Sequence, residues 1–414
     1  MGSVNLDNTG SGNAITLSSD GTSLLLNGTA IGGGGGSDPD LYRDNAVSAT
    51  TPTASGDNAV AIGDDAVASG VASVAFGQQT DATGTNAIAL GSGAQATQPH
   101  AVAIRGTASA RESTAIGVNN VANGAVAAGE GSMALQGSYA SGADSFAAAI
   151  ANNTSSYGAT GSHAVSIGNL SKSTHYSGIA IGHQNIVNGN RSASIGGRSN
   201  TAGSDMSGII GGYGNNTSNQ YTFIGGGYNN VASGLYSAVI GGYDNDATDQ
   251  GSYATGMWAN SSIKGKWAHG AAGHLGTTTS GSQQSGHYVL ISNTTDATAE
   301  ALTTDNSTAG TSNQIVLPNN SAYAFSGTIV AREKASEGTD CAAWKVEGLI
   351  RREGSAGTTV LVNSATTVIN NASSWGMALT ADTTNGCLKI AVTGAASTNI
   401  RWVGTITTSE LIYA

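Results

Sequence analysis

Charge, proline and cysteine are all scarce in this chain. Of 414 residues, 10% are Asp, Glu, Lys or Arg, four are proline, four are phenylalanine and two are cysteine. Two cysteines exclude a disulfide framework, and Cys341 and Cys387 lie in separate apolar runs that suit either free thiols or a single bridge. No run of about 18 apolar residues occurs, so no transmembrane helix and no membrane insertion are expected. The N-terminal MGSVNLDNTG lacks the charged and apolar regions of a secretory signal, and Leu6 stands where myristoylation needs Ser or Thr. The expectation is a chain made in the cytoplasm that reaches any extracellular role by a route other than secretion. The net charge of −11 comes with no basic stripe, which argues against nucleic acid as a partner.

Catalytic signatures are missing too. No G-x-S-x-G, P-loop or H-E-x-x-H is present. Glycan hydrolysis uses paired carboxylates, whereas Asp64, Asp65, Asp144 and Asp205 have no second acid at matched spacing. No enzyme, no catalytic residue and no cofactor is expected.

What the chain has is glycine, 61 of them, set among Ala, Ser, Thr and Asn. The glycines do not fall at every third position, which excludes collagen. Aliphatics recur at fixed spacing, which separates the chain from disorder. In NAVAIGDDAVASG, residues 58–70, Val60 and Ile62 alternate with Ala59 and Ala61 and so share one face of a short strand. Gly63 permits a turn, Ala66 and Ala68 repeat the alternation, and Gly70 turns again. Each period then gives two short strands and two corners, with Val60 and Ile62 expected to fill the coil and the alanines to keep it thin.

Aligned on the residue before the corner glycine, Ile62, Phe76, Leu90 and Ile104 lie fourteen apart, and Ile116 and Ala128 follow at twelve. The register slips near Leu135, recovers at Ala149, and runs through Ile167, Ile181, Ile195, Ile210, Ile224 and Ile240 to Thr255. A fixed period marks a solenoid, because one coil buries little while stacked coils share a continuous column. At ~4.8 Å per stacked strand, fourteen coils would make a rod of about 65–70 Å. So thin a rod favours side-by-side packing of several chains.

NAVAIGDDAVASG, TNAIALGSGAQAT, HAVSIGNLSKST and SGIAIGHQNIVNG resemble the head repeats of trimeric autotransporter adhesins, the YadA-like left-handed parallel β-roll. The resemblance covers residues 56 to about 260 and implies a homotrimer of three rolls about one axis. It lacks the signal peptide and the C-terminal membrane-anchor barrel of those adhesins. VNLDNTGSGNAITLSSDGTSLLLNGTAIGGG instead resembles the start of tail-fibre proteins of tailed bacteriophages, notably those infecting cyanobacteria.

The organisation read from these patterns is all-β and in three parts. Residues 1–44 form an attachment piece, with a hairpin about Asp20-Gly21 and a glycine-rich linker. Residues 45–284 form the repeat shaft. Residues 285–414, with runs such as AYAFSGTIVARE, AAWKVEGLIRRE and CLKIAVTG, read as an antiparallel sandwich or jelly-roll head. There Trp344, Val346 and Ile350 share one phase, as do Leu388, Ile390 and Val392.

Tyr213, Tyr228, Tyr243 and Trp258 follow corner glycines at intervals of fifteen and should stack along one outer edge. Tyr221, Tyr236 and Tyr253 suggest a second file. Such an edge would either bind the apolar faces of sugars or widen the roll and hold chains together. Asp244, Asp246 and Asp249 suit a solvated corner better than calcium, since the loop lacks the glutamate and glycine of an EF-hand. His269 and His274 lack the close spacing of an axial metal site and are read as surface groups, so no metal is expected.

The function expected is adhesion by a phage tail fibre. It would be held to a tail or baseplate protein at its N-terminus, lie in the virion tail, and recognise a glycan or protein on the host surface. A bacterial trimeric surface adhesin is the alternative, and a glycan-depolymerising tailspike a third reading.

Overall fold

The computed structural model describes residues 50–117, 124–148, 156–271, 280–371 and 373–413, with the backbone of strands Val4–Leu6, Ile15–Ser19, Leu24–Leu26 and Thr29–Ala30. The glycine-rich linker, the Asp20-Gly21 turn and His274 lie outside the described residues. Two compact units divide the chain, Met1–Gln184 and Asn185–Ala414. Both are built of β-strands, and among the described residues one 3-10 turn, Ala356–Thr358, is the helical exception. The N-terminal strands form an antiparallel sheet in chain order. In it Leu17 stands opposite both Val4 and Leu26, so the arms expected on either side of Asp20-Gly21 do pair.

The rest of the first unit is a stack of coils. Each coil contributes a three-residue strand and a two-residue strand, and each strand pairs in parallel with its counterpart in the next coil. Val60, Ala61 and Ile62 face Val74, Ala75 and Phe76, and Val67 and Ala68 face Asp81 and Ala82. The two corner glycines are needed for different reasons. Gly63 has φ +121°, a conformation costly for side chains with a Cβ. At Gly70 the limit is space, because a Cβ there would run into the carbonyl of Gly84 one coil on.

Burial reverses one expectation. Ala61, Ala66, Ala68, Ala75, Ala82, Ala89, Ala96 and Ala103 form the core column, joined by Ser73 and Thr80. Val60 and Ile62 do not fill the coil: they are half-buried and project outward, and Phe76 in the same file is 55% exposed. Strand alternation fixes opposite faces, and the two ladders of a coil stand so close that the inward face accepts a methyl group or a hydroxymethyl. So little apolar area is buried per coil that the repeating backbone bonds, such as Val60 N–H to the Ser73 carbonyl at 2.9 Å, carry much of the stack.

In the second unit the coils lengthen to fifteen residues and their interior widens. Ile209, Ile224 and Val239 stack in register and are buried. Ile224 is therefore the partner of Ile209 and Val239, not of Ile210 and Ile240. TFIGGGY has one residue fewer before its glycines than GIIGGY is aligned to expect, and Gly225 takes the outward slot, donating to the Val239 carbonyl at 2.9 Å.

Parallel stacking ends at Trp267–Gly270, where Trp267 pairs antiparallel with His287. Long antiparallel strands follow in the order Gln283–Thr294, Ile400–Ile412, Ser321–Glu333, Cys341–Arg352 and Val360–Asn371. A second sheet gathers Ala299–Ala301, Ile315–Val316 and Gly376–Asp382 on Cys387–Thr393. Trp344, Val346, Ile350, Leu388, Ile390 and Val392 all enter the core between these sheets. Trp344 stacks on Trp402 at 5.6 Å, Trp375 meets Trp402 edge-on at 5.9 Å, and Trp402 donates to Thr294 Oγ1 at 2.9 Å. Both cysteines are free thiols: Cys341 is exposed, and burial pushes the Cys387 thiol up to about 12.

Candidate functional site

The corner aromatics of the second unit form a ladder. Tyr213 and Tyr228 stack with centroids 5.3 Å apart, Tyr228 and Tyr243 with centroids 5.0 Å apart, and Trp258 tilts against Tyr243 at 5.6 Å. The Arg198 guanidinium lies over Tyr213 at 5.8 Å and covers the other end. The faces of the three tyrosines are thus taken by their neighbours, while Trp258 meets Tyr243 from one side. Tyr213, Tyr228 and Tyr243 remain 41%, 41% and 38% exposed, and what they offer is ring edges and hydroxyls. Stacking on a sugar needs a free ring face, so the geometry favours the ladder as a brace for the corners.

Local chemistry explains why a tyrosine stands there. The glycine before each ring is left-handed, at +84° in Gly212, +93° in Gly227 and +114° in Gly242. A Cβ at any of the three would strike the carbonyl of the next coil. Two residues after each ring comes an asparagine, and Asn185, Asn200, Asn215, Asn230 and Asn245 form a buried file under the ladder. Asn230 Nδ2 donates to Asn215 Oδ1 at 3.0 Å, to the Gly226 carbonyl at 2.9 Å and to the Gly242 carbonyl at 3.1 Å. Its own Oδ1 accepts from the backbone and side chain of Asn245, each at 3.0 Å. Ala259 N–H closes the file on Asn245 Oδ1 at 2.9 Å. Sequence reasoning missed this file, although its signal stands in GGYGNN, GGGYNN and GGYDND.

Asn230→Ala removes several of these bonds at once and takes from the buried Gly226 carbonyl and the Asn245 N–H the partners that Asn230 gives them. The expected loss is about 2–4 kcal/mol, from ~1–3 kcal/mol per buried unsatisfied group, read as a lower urea midpoint.

The second aromatic file is interrupted. Tyr221 and Tyr236 stack at 5.1 Å, but Gly251 takes the next slot. Tyr253 belongs to the following strand, opposite Ala238, and meets Trp267 edge-on at 5.9 Å. The period is kept, with Ser252 in the slot of Ser237, so Tyr253 stands two positions past the corner slot. Among the acids, burial first and then Asp244 raise Asp246 above its ordinary value, while the Ser280 hydroxyl pulls the other way. Burial against its neighbours, then the Asp244 carboxylate, raises the Tyr243 phenol. Asp64 accepts from Gln78 at 3.2 Å and Asp205 from the Asn190 N–H at 2.8 Å, while Asp144 lies 3.4 Å from His163, so all three serve corners. His269 is exposed beside Thr255 on the outward face of its strand. Among the described residues no group of three or more His, Cys, Asp or Glu side chains gathers as a metal set.

The tailspike protein of Acinetobacter baumannii phage AM24 is similar at 11% identity and a TM-score of 0.20, over 87% of this chain and 75% of that one. That of A. baumannii bacteriophage Fri1, a capsular polysaccharide depolymerase, is similar at 6% identity and a TM-score of 0.20. This second match covers 84% of this chain and 63% of that one. No curated protein matches the chain. Residues 54–80, 82–104, 108–135 and 159–185 match the family model of the YadA head domain repeat.

Proposed function

We propose that this chain is a receptor-binding fibre of a phage tail, assembled as a homotrimer, that attaches the virion to a host surface without enzymatic action. The observation that carries the reading is the outward file of large apolar side chains on adhesin-type coils. Phe76 and Ile116 in the first unit, and Ile195, Ile210 and Ile240 in the second, stand exposed where a monomer would place polar groups. Side-by-side copies would bury that file against each other. In this layout residues 1–44 dock to a tail or baseplate protein, 45–284 form the shaft and 285–414 carry the recognition head in the virion tail. Avidity from three sites on a stiff support would make weak contacts sufficient.

Light scattering of the purified protein should give three times the chain mass of 40.7 kDa. Pre-incubated protein should block phage adsorption to host cells, and host capsule incubated with it should gain no reducing ends. A single-chain mass, or unblocked adsorption, counts against the reading. The repeat match itself favours a bacterial surface adhesin as the second reading, and a gene neighbourhood free of tail genes would select it.

A further inference from the structure

Strand direction gives the C-terminal sheet a near and a far end. Gln283 pairs with Leu411 beside the last coil, and Thr294 pairs with Ile400 at the other end of the same ladder. At that far end lies a groove of about 700 Å³. Across its floor Arg332 stands directly opposite Arg401, and Arg401 directly opposite Asn293. Residues paired in this way share a face, so two guanidinium groups project side by side into the groove. The next outward row is Val330 beside Val403, both half-exposed.

Like charges placed opposite each other destabilise a sheet unless something neutralises them. Among the described residues neither Arg332 nor Arg401 has an ion-pair partner within 4.0 Å. Glu333 also lines the groove, but it alternates to the face opposite Arg332 and its carboxylate lies against Gly338, which leaves Arg332, Lys334 and Arg401 in excess over it. Lys334, on the rim, is 3.8 Å from Glu337, whose carboxylate already accepts two 2.7 Å bonds from Asn399. The groove is therefore a concentrated positive site on a chain of net charge −11.

We propose that the groove binds the carboxylate of an acidic saccharide, gripped by Arg332 and Arg401, with the sugar ring over Val330 and Val403 and a hydroxyl at the Asn293 amide. Planar guanidinium forks match a carboxylate bidentately, and the valines supply an apolar floor that neutral polar solutes do not need. Long-range repulsion from the acidic chain is screened over about 8 Å at physiological salt, so the local charge governs contact. The inference rests on the attachment reading above, and names the chemistry it would recognise.

Titration calorimetry of the full-length protein should show binding of polygalacturonate and none of neutral dextran. The Arg332→Gln/Arg401→Gln variant should bind at least tenfold more weakly while melting at the same temperature or higher, because the repulsion between the two charges is gone. Arg401→Gln alone should fall between, and Arg332→Lys/Arg401→Lys, which keeps charge but loses the forks, should not restore full affinity. Unchanged affinity in the double glutamine variant, or equal binding of dextran, overturns the proposal. Competition by inorganic phosphate as strong as that by the polymer would also overturn it, by showing a small-anion site. Protein that adsorbs to host cells yet ignores polygalacturonate sinks the groove proposal alone, whereas failure to adsorb to cells sinks the attachment reading.

Discussion

Glu410→Ala is expected to destabilise the C-terminal sheets by about 3–5 kcal/mol, the range for removing one partner of a buried ion pair. The Glu410 carboxylate lies 2.7 Å from Lys266 Nζ, with both side chains almost wholly out of solvent. It also accepts from Gln284 at 2.6 Å, from the Tyr288 hydroxyl at 2.7 Å and from Thr408 at 2.7 Å. Removing it leaves a buried ammonium and three donors without their acceptor. Since ~1 kcal/mol moves a domain of this size by about 2–4 °C, the melting temperature should fall by roughly 6–20 °C. The double change Lys266→Met/Glu410→Leu should recover much of the loss, because it removes the stranded charge as well. A loss below about 1 kcal/mol for Glu410→Ala would show that water reaches the pair.

The same site contributes to both pH limits. Burial on its own would raise the Glu410 carboxyl, but Lys266, Gln284 and Tyr288 together hold it below the ordinary value of 4.5. A depressed acid contributes stability that is present above its unfolded value and is lost as pH falls through the folded one. Stability should thus decline in acid below pH 4.5, and Glu410→Gln should make that limb shallower, with Asp296, Asp305, Glu337 and Asp382 supplying the rest. Burial and the Glu410 charge raise the Tyr288 and Tyr323 phenols well above 10.0. Their contribution is full below 10.0 and is lost as pH rises beyond it. Melting temperatures followed across both limbs check the two signs.

Lys266 and Glu410 are 144 residues apart, and no local pattern announces their meeting. The coil, by contrast, is legible, because its glycines, period and alternation are all short-range. Alternation establishes that Val60 and Ile62 lie on the face opposite Ala61, but not which face turns inward. That depends on the gap between ladders, which the glycine corners set. The larger residue is the natural choice for a core, and here the gap admits alanine. Ile224 is misaligned for a related reason, since the corner glycine serves as the ruler and GGG offers more than one. The tyrosine ladder is readable at its true spacing, although Met257 and not Trp258 is the residue paired with Tyr243, while the asparagine file beneath it passes as loop polarity. Cross-strand Arg332 and Arg401 need the register of strands far apart in sequence.

Ala103→Leu should break the first unit's stack, and Phe76→Ser should leave it standing. Ala103 is fully buried, in register between Ala89 and Ala115, with alanines of the short-strand ladder also in the same core column. The added isopropyl group has no space to enter, and overpacking a rigid core costs ~1–3 kcal/mol even where neighbours can shift. Here the neighbours are backbone ladders, and each coil is stable only through the coils beside it, so disruption spreads to both interfaces. The expected loss is above about 3 kcal/mol, read as a lower urea midpoint with reduced β signal in circular dichroism. Phe76 lies in the same ladder, beyond the strand that carries Ala89, and in the outward file it is largely exposed. Its replacement by serine should spare the coil's own melting in dilute protein while weakening association, seen as a fall in mass by light scattering on dilution. If Ala103→Leu were silent and Phe76→Ser unfolded the unit, the aliphatic residues would be the ones filling the coil, and the face that joins the copies would have to be sought elsewhere.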